Sequence, residues 1–437
     1  MIRAVAVLAL AGCAARTTPQ PVAHDAAIDA IAERALTEGG ATGLSIVVMR
    51  GDRVVHARGY GLADAERHVA ATEQSVYLLA SLSKQFWAVG VMQLVEQNRL
   101  SVESSIVDVL YKFPDRRVLV KHVLSQTSGL GDDSDDEDDI AFADHPAPAF
   151  EPGSWWMYSN RGATLARRLL EQVTGIPWSR YLAEHIAKPL GLTSVTICPS
   201  APEPPMYRAD KQRVTETVKT MERVQFVCAN ALDVARFERS LDTGALLRAD
   251  SVAKMRAPTE IAGMPLPYGW LTRIADLDGH RAYGHTGSGE GASVAAFRFP
   301  ADDLTIVVLI NSAPRPGHRA WSLVAHIARA ELHLPEPALA DHAVAQDELA
   351  AIAGTYANGP AHAVIAGRDG HAYLTFSVDG KQVWDGPLVA LGPRAFAGGP
   401  GGDPDPDYAA TFLPATGQAT AIAIGHRFLL DNVFRRE

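Results

Sequence analysis

Ser81-Leu82-Ser83-Lys84 puts a hydroxyl and an amine three residues apart. On a helix that spacing places both on one face, where an amine can take the hydroxyl proton and leave a nucleophile. The pattern alone is cheap, since Ser251-Val252-Ala253-Lys254 matches it as well. Context separates the two. Ser75 to Ala80 reads as a short strand, and the run that Ser81 opens carries Phe86, Trp87, Val89, Val91, Met92, Leu94 and Val95. A helix apolar nearly all round lies inside a domain. Ser81 then sits at the positive end of that helix, with Lys84 desolvated beside it. The bland alternative is a helix-capping serine followed by a surface lysine.

Two further clusters suit the same chemistry. Tyr158-Ser159-Asn160 follows Glu151-Pro152-Gly153 and Trp155-Trp156. A phenol near Lys84 can relay a proton, and an amide can orient both the lysine and a substrate carbonyl. Trp155 and Trp156 either wall a substrate pocket or simply pack. The third cluster, Gly284-His285-Thr286-Gly287-Ser288-Gly289-Glu290-Gly291, reads as the end of a strand whose glycines allow a substrate backbone to come close. It is no phosphate loop, because no Gly-Lys-Ser/Thr follows. There is also no His-Glu-x-x-His, Cys-x-x-Cys, Gly-x-Ser-x-Gly or Gly-x-Gly-x-x-Gly.

In this order the three clusters resemble the motifs of the serine β-lactamase and penicillin-binding protein family, in its class C and D-alanyl-D-alanine peptidase branch. Leu124-Ser125-Gln126-Thr127-Ser128-Gly129-Leu130 and Pro189-Leu190-Gly191-Leu192 add to the resemblance, which runs from about Ala26 to Leu334. It implies that Ser81 is acylated and that Lys84 and Tyr158 share the proton transfers. Asn160 would orient Lys84 and the substrate, His285, Thr286 and Gly287 would line the substrate, and the backbone N–H groups of Ser81 and Ser288 would bind the oxyanion. No cofactor or metal is implied. One position departs from the pattern: the common Lys-Thr-Gly is His285-Thr286-Gly287 here. A histidine is mostly neutral at pH 7, so anionic substrates such as β-lactams should be held poorly. The family offers precedents for histidine there among D-aminopeptidases with appended β-barrels and among esterase-like members. The expected activity is therefore that of a peptidase, carboxypeptidase or esterase acting on a small molecule or peptide, with weak β-lactamase action at best. A non-hydrolysing penicillin-binding or sensor protein is the alternative.

The elements that must position these residues form an α+β body with a helical lobe. Asp25 to Glu38 has helical spacing, Leu44 to Met49 and Val54 to Tyr60 read as a hairpin, and Arg161 to Thr174 and Trp178 to Ala187 as helices. Strands at Ala282 to His285, Ala292 to Phe299 and Leu304 to Ile310 precede a helix at Ala320 to Leu332. Strands at both ends predict one sheet built from both, with helices packed on it. The body spans 25–335, Leu334 to Leu339 reads as a linker, and 345–437, short alternating segments divided by Gly, Pro and Asp, as a small all-β barrel or sandwich.

A chain of 437 residues exceeds one ordinary core, which agrees with two units. Its net charge of -10 gives no reason to bind nucleic acid. Met1 to Ala15, with Arg3 before an apolar run, reads as a signal peptide, and Leu10-Ala11-Gly12-Cys13 resembles the bacterial lipobox. Residues 1–13 would then be a lipoprotein signal, Cys13 the lipidated residue holding the chain to a cell-envelope membrane on its periplasmic side, and 14–24 a tether. An ordinary cleavage site, giving a secreted or periplasmic protein, is the other reading. In such a compartment Cys198 and Cys228 either form a disulfide or remain two buried thiols. Asp132 to Asp139 reads as a solvated acidic loop without the glycine and closing glutamate of an EF-hand. Should it border the site, it would disfavour anionic substrates.

Overall fold

A computed structural model describes residues 25–131, 148–199, 203–208, 210–214, 224–315, 317–336, 344–358, 361–378, 380–392, 394–398, 408–413, 416–426 and 429–437. The residues read as a signal and a tether (1–24, with Cys13) and the acidic run Asp132 to Asp139 lie outside them.

The body is a three-layer arrangement around one antiparallel sheet. Helix α1 (Ala26–Thr37) starts where the Asp25 carboxylate accepts from the Ala27 N–H at 2.8 Å, and its Ile28, Ile31 and Ala35 are buried. Strands β1 (Gly43–Arg50) and β2 (Arg53–Asp64) form the expected hairpin, with β3 (Val69–Ala70) beyond them. Leu44 pairs with Ile310 of the late strand Leu304–Ile310, so both ends of the body meet in one sheet. That joins the early hairpin to the late strands, as the sequence predicts. Side chains of β1 alternate between two cores: Val47 and Met49 enter the larger one, Leu44, Ile46 and Val48 the smaller. The smaller core is closed by α1 and the helix Ala320–Leu332, the larger by the helical lobe.

Strand β4 (Val76–Leu78) is shorter than predicted. It ends before a tight turn, Ala80–Leu82, and the buried helix α2 (Ser83–Glu96) begins only at Ser83. Leu78 pairs with Cys228 in the strand Val227–Asn230, and a disulfide joins Cys228 to Cys198. The bridge closes a sequence separation of 30, worth about 3–4 kcal/mol by chain entropy, and it fastens the small sheet from which the nucleophile turn departs. The short helix α3 (Val120–Leu124) and the 15-residue α4 (Asn160–Thr174) belong to the lobe. The predicted helix Trp178 to Ala187 carries a π-helical turn over Leu182–Ala187.

The C-terminal unit is a closed eight-stranded antiparallel barrel, which resolves the choice between barrel and sandwich. Tyr356, Phe396, Phe412 and Phe434 fill its interior. A short helix, Gln346–Ile352, precedes it and was not read from the sequence. No helix of the described residues is long and apolar enough to cross a membrane.

Candidate active site

The three sequence clusters meet where α2, α4 and one strand edge converge. Lys84 is fully buried in the first turn of α2 and donates to Ser81 Oγ at 3.0 Å and to Asn160 Oδ1 at 2.7 Å. Asn160 reaches it because it is the first residue of α4, which crosses α2 at Gly90. A Cβ on Gly90 would lie 2.3 Å from Leu170 Cδ1, so the leucine side chain packs into the space that glycine leaves between the two helices. Ser159 caps α4 by accepting from the Gly162 N–H at 2.7 Å. The loop before it is held by Gln126, whose side-chain oxygen accepts from the Ser159 N–H at 2.7 Å and whose carbonyl accepts from Met157 at 3.1 Å. Thus the Leu124 to Leu130 phrase carries the Tyr158 loop. The Tyr158 ring has Lys84 Nζ 4.9 Å from its centroid and the Arg273 guanidinium carbon at 5.5 Å.

The third cluster lies at the end of a strand, as expected, but the strand runs past His285 to Gly289, and only Glu290 and Gly291 fall in the turn beyond it. The strand runs from His280 to Gly289, and Tyr283 to Gly289 pair with Arg298 to Ala292. On its other side the strand Arg273–Leu277 pairs only as far as Gly284. The edge from His285 onward is thus left for the nucleophile turn. A Cβ on Gly287 would lie 2.2 Å from the Leu79 carbonyl and 3.1 Å from the Ser81 nitrogen. Only glycine lets strand and turn come this close, which brings the exposed Ser288 and its backbone beside Ser81. Ala80, at the start of the turn, has φ +45°, the left-handed region that a residue with a Cβ adopts at a cost of about 1–2 kcal/mol.

His285 is fully buried. Its Nδ1 lies 2.6 Å from the Thr286 carbonyl, which can only accept, so Nδ1 carries the proton. Nε2 therefore accepts from the Tyr268 hydroxyl at 3.1 Å. Burial, then the charges of Arg273 and Lys84, hold the imidazole well below its ordinary pKa. A neutral ring with both nitrogens engaged presents no cation to a substrate.

A sequence model of the family described as "Beta-lactamase" matches residues 28–329. The chain belongs to the beta-lactamase family. It is 26% identical to Protein flp of Staphylococcus aureus (strain MW2) over 39% of this chain and 37% of that protein. Penicillin-binding protein 4* of Bacillus subtilis (strain 168) is 25% identical over 61% of this chain and 67% of its own. The chain thus matches little more than a third of the first relative's length. Among solved structures, SurE superposes with a TM-score of 0.66 at 21% identity, covering 94% of this chain and 98% of that one. That coverage takes in the barrel as well as the body.

The structure brings Ser81, Lys84, Tyr158, Asn160, His285, Thr286, Gly287 and Ser288 into one place, and it puts the second Ser-x-x-Lys elsewhere. Ser251 is buried and Lys254 exposed on the helix Ala249–Arg256. Trp156 is wholly buried in packing, while Trp155 is half-buried. Tyr268 and Arg273 were not read from the sequence. Neither carries a motif: Arg273 opens the short strand Arg273–Leu277, which also holds Asp276, and Tyr268 lies in the loop before it.

Proposed function

We propose that this chain is an exported serine hydrolase that cleaves an amide or ester bond through an acyl-Ser81 intermediate. The observation that carries this reading is the 3.0 Å contact between the buried Lys84 amine and Ser81 Oγ, with Asn160 fixing the lysine from the other side. Ser81 Oγ attacks the substrate carbonyl while its proton leaves through the Lys84–Tyr158 pair. The developing oxyanion is met by the backbone N–H groups of Ser81 and Ser288. The same pair returns the proton to the departing amine or alcohol, the carbon–heteroatom bond breaks, and an ester to Ser81 remains. Water then attacks that ester, giving up its proton to the pair, which passes it to the departing Ser81 Oγ as the acid product is released.

The neutral, doubly engaged His285 supports substrates without a carboxylate beside the scissile bond, such as neutral esters and D-amino-acid amides. It argues for weak β-lactamase action at best. Export is supported by the Met1 to Ala15 pattern and by the Cys198–Cys228 disulfide, and Cys13 is the proposed lipid attachment to the cell envelope. A fluorophosphonate probe should label the wild type and not Ser81→Ala, and p-nitrophenyl esters should turn over. Labelling that survives the substitution would sink the site assignment. Labelling without turnover of esters, D-amino-acid anilides or cephalosporins would favour a sensor.

A further inference from the structure

The barrel touches the body at the aromatic residues that surround Tyr158. Trp156, Leu266 and Tyr268 of the body form one apolar cluster with Ala421, Ala423 and Val433 of the barrel. The barrel residues in it alternate with Ile422 and Phe434, which enter the barrel's own core, so the outer face of these two strands is the docking face. A hydrogen bond crosses the same seam: the Trp155 indole N–H donates to the Val433 carbonyl at 3.2 Å.

From this seam two chains of contact run inward. Along one, Trp156 stands next to Tyr158, with ring centroids 6.4 Å apart, two residues before it in the same loop. Along the other, Trp156 meets Tyr268 edge-on at 5.3 Å, and Tyr268 donates to His285 in the strand beside Ser81. Tyr268 also stands edge-on to Tyr158 at 6.4 Å. Each ring is located by its neighbour, and the outermost are located by the barrel.

We propose that the barrel is a buttress of the active site, in which Trp155, Trp156 and Tyr268 are positioning residues that set where Tyr158 and the His285 strand stand relative to Ser81. The inference rests on the acyl-Ser81 reading. A shift of about 1 Å in a reacting group costs on the order of a hundredfold in rate, so a partial loosening should be visible without unfolding.

The test compares rates of fluorophosphonate labelling at Ser81, together with kcat and KM on a p-nitrophenyl ester. Ala423→Leu overfills the seam and Val433→Ala empties it. Trp155→Phe keeps an aromatic ring and removes the bridging N–H, and it serves should Ala423→Leu not fold. Ile365→Ala weakens the barrel interior away from the seam. The seam variants should label roughly tenfold more slowly, with kcat lowered and KM held, while Ile365→Ala labels at the wild-type rate despite its lower Tm. Seam variants that label as fast as wild type, or an Ile365→Ala slowed equally, overturn the buttress alone. A wild-type chain that takes no label at Ser81 overturns the acyl-serine reading and the buttress with it.

Discussion

His285 uses both ring nitrogens inside the protein, on the Thr286 carbonyl and the Tyr268 hydroxyl, where the family's more common lysine would carry a charge. Its pH behaviour follows. The folded-state pKa lies well below the ordinary 6.5, so the unfolded chain takes up the proton first as pH falls. The stability contributed is fully present above about pH 6.5 and is lost as pH drops towards the folded value, at about 1.4 kcal/mol per pH unit. Between pH 6.5 and 5 the urea midpoint of the wild type should therefore fall more steeply than that of His285→Gln. Parallel slopes would mean that the imidazole is solvated after all. The departure from lysine was legible in the sequence, and so was the loss of a cation. The tautomer was not, because it follows from the ring's orientation towards the Thr286 carbonyl, and the Tyr268 partner of the other nitrogen carries no motif.

Among the elements, the decisive contact is between the strand His280–Gly289 and the turn Ala80–Leu82. The sequence predicts the glycine-rich cluster at the end of a strand that stops at His285, whereas the strand continues to Gly289. Here Gly284, Gly287 and Gly289 continue the strand, because the neighbouring Ala292–Phe299 pairs with it as far as Gly289 and the other side must admit a turn. Gly287→Ala tests this: its Cβ would meet the Leu79 carbonyl at 2.2 Å, so strand and turn must separate. Labelling at Ser81 should fall about a hundredfold with near-native circular dichroism, and an alanine variant that labels normally would place the oxyanion donors elsewhere. The start of α2 was misplaced for a related reason. Sequence periodicity carries the helix back to Ser81, whereas the positive φ of Ala80 forces a tighter turn first.

Across the whole molecule, the two-unit plan and the sheet drawn from both ends were readable, because buried strands and helices repeat with their own periods. The seam between barrel and body was not. Trp155-Trp156 and the small outward residues Ala421 and Ala423 look like ordinary packing until both surfaces are present. The sheet itself has a consequence in time. Strand β1 finds its central partner only in Leu304–Ile310, at the far end of the body. A chain stopped at residue 303 should be insoluble or lack cooperative unfolding, whereas one that includes the helix Ala320–Leu332 should fold; a soluble, cooperative shorter fragment would show that the early hairpin suffices. At roughly 5–20 residues per second, a ribosome leaves β1 without that partner for about 13–55 s. Until that partner arrives, on the ribosome or during the proposed export, the run of Leu, Ile and Val in β1 is an open strand edge, and a holdase that covers it should raise the yield of folded protein.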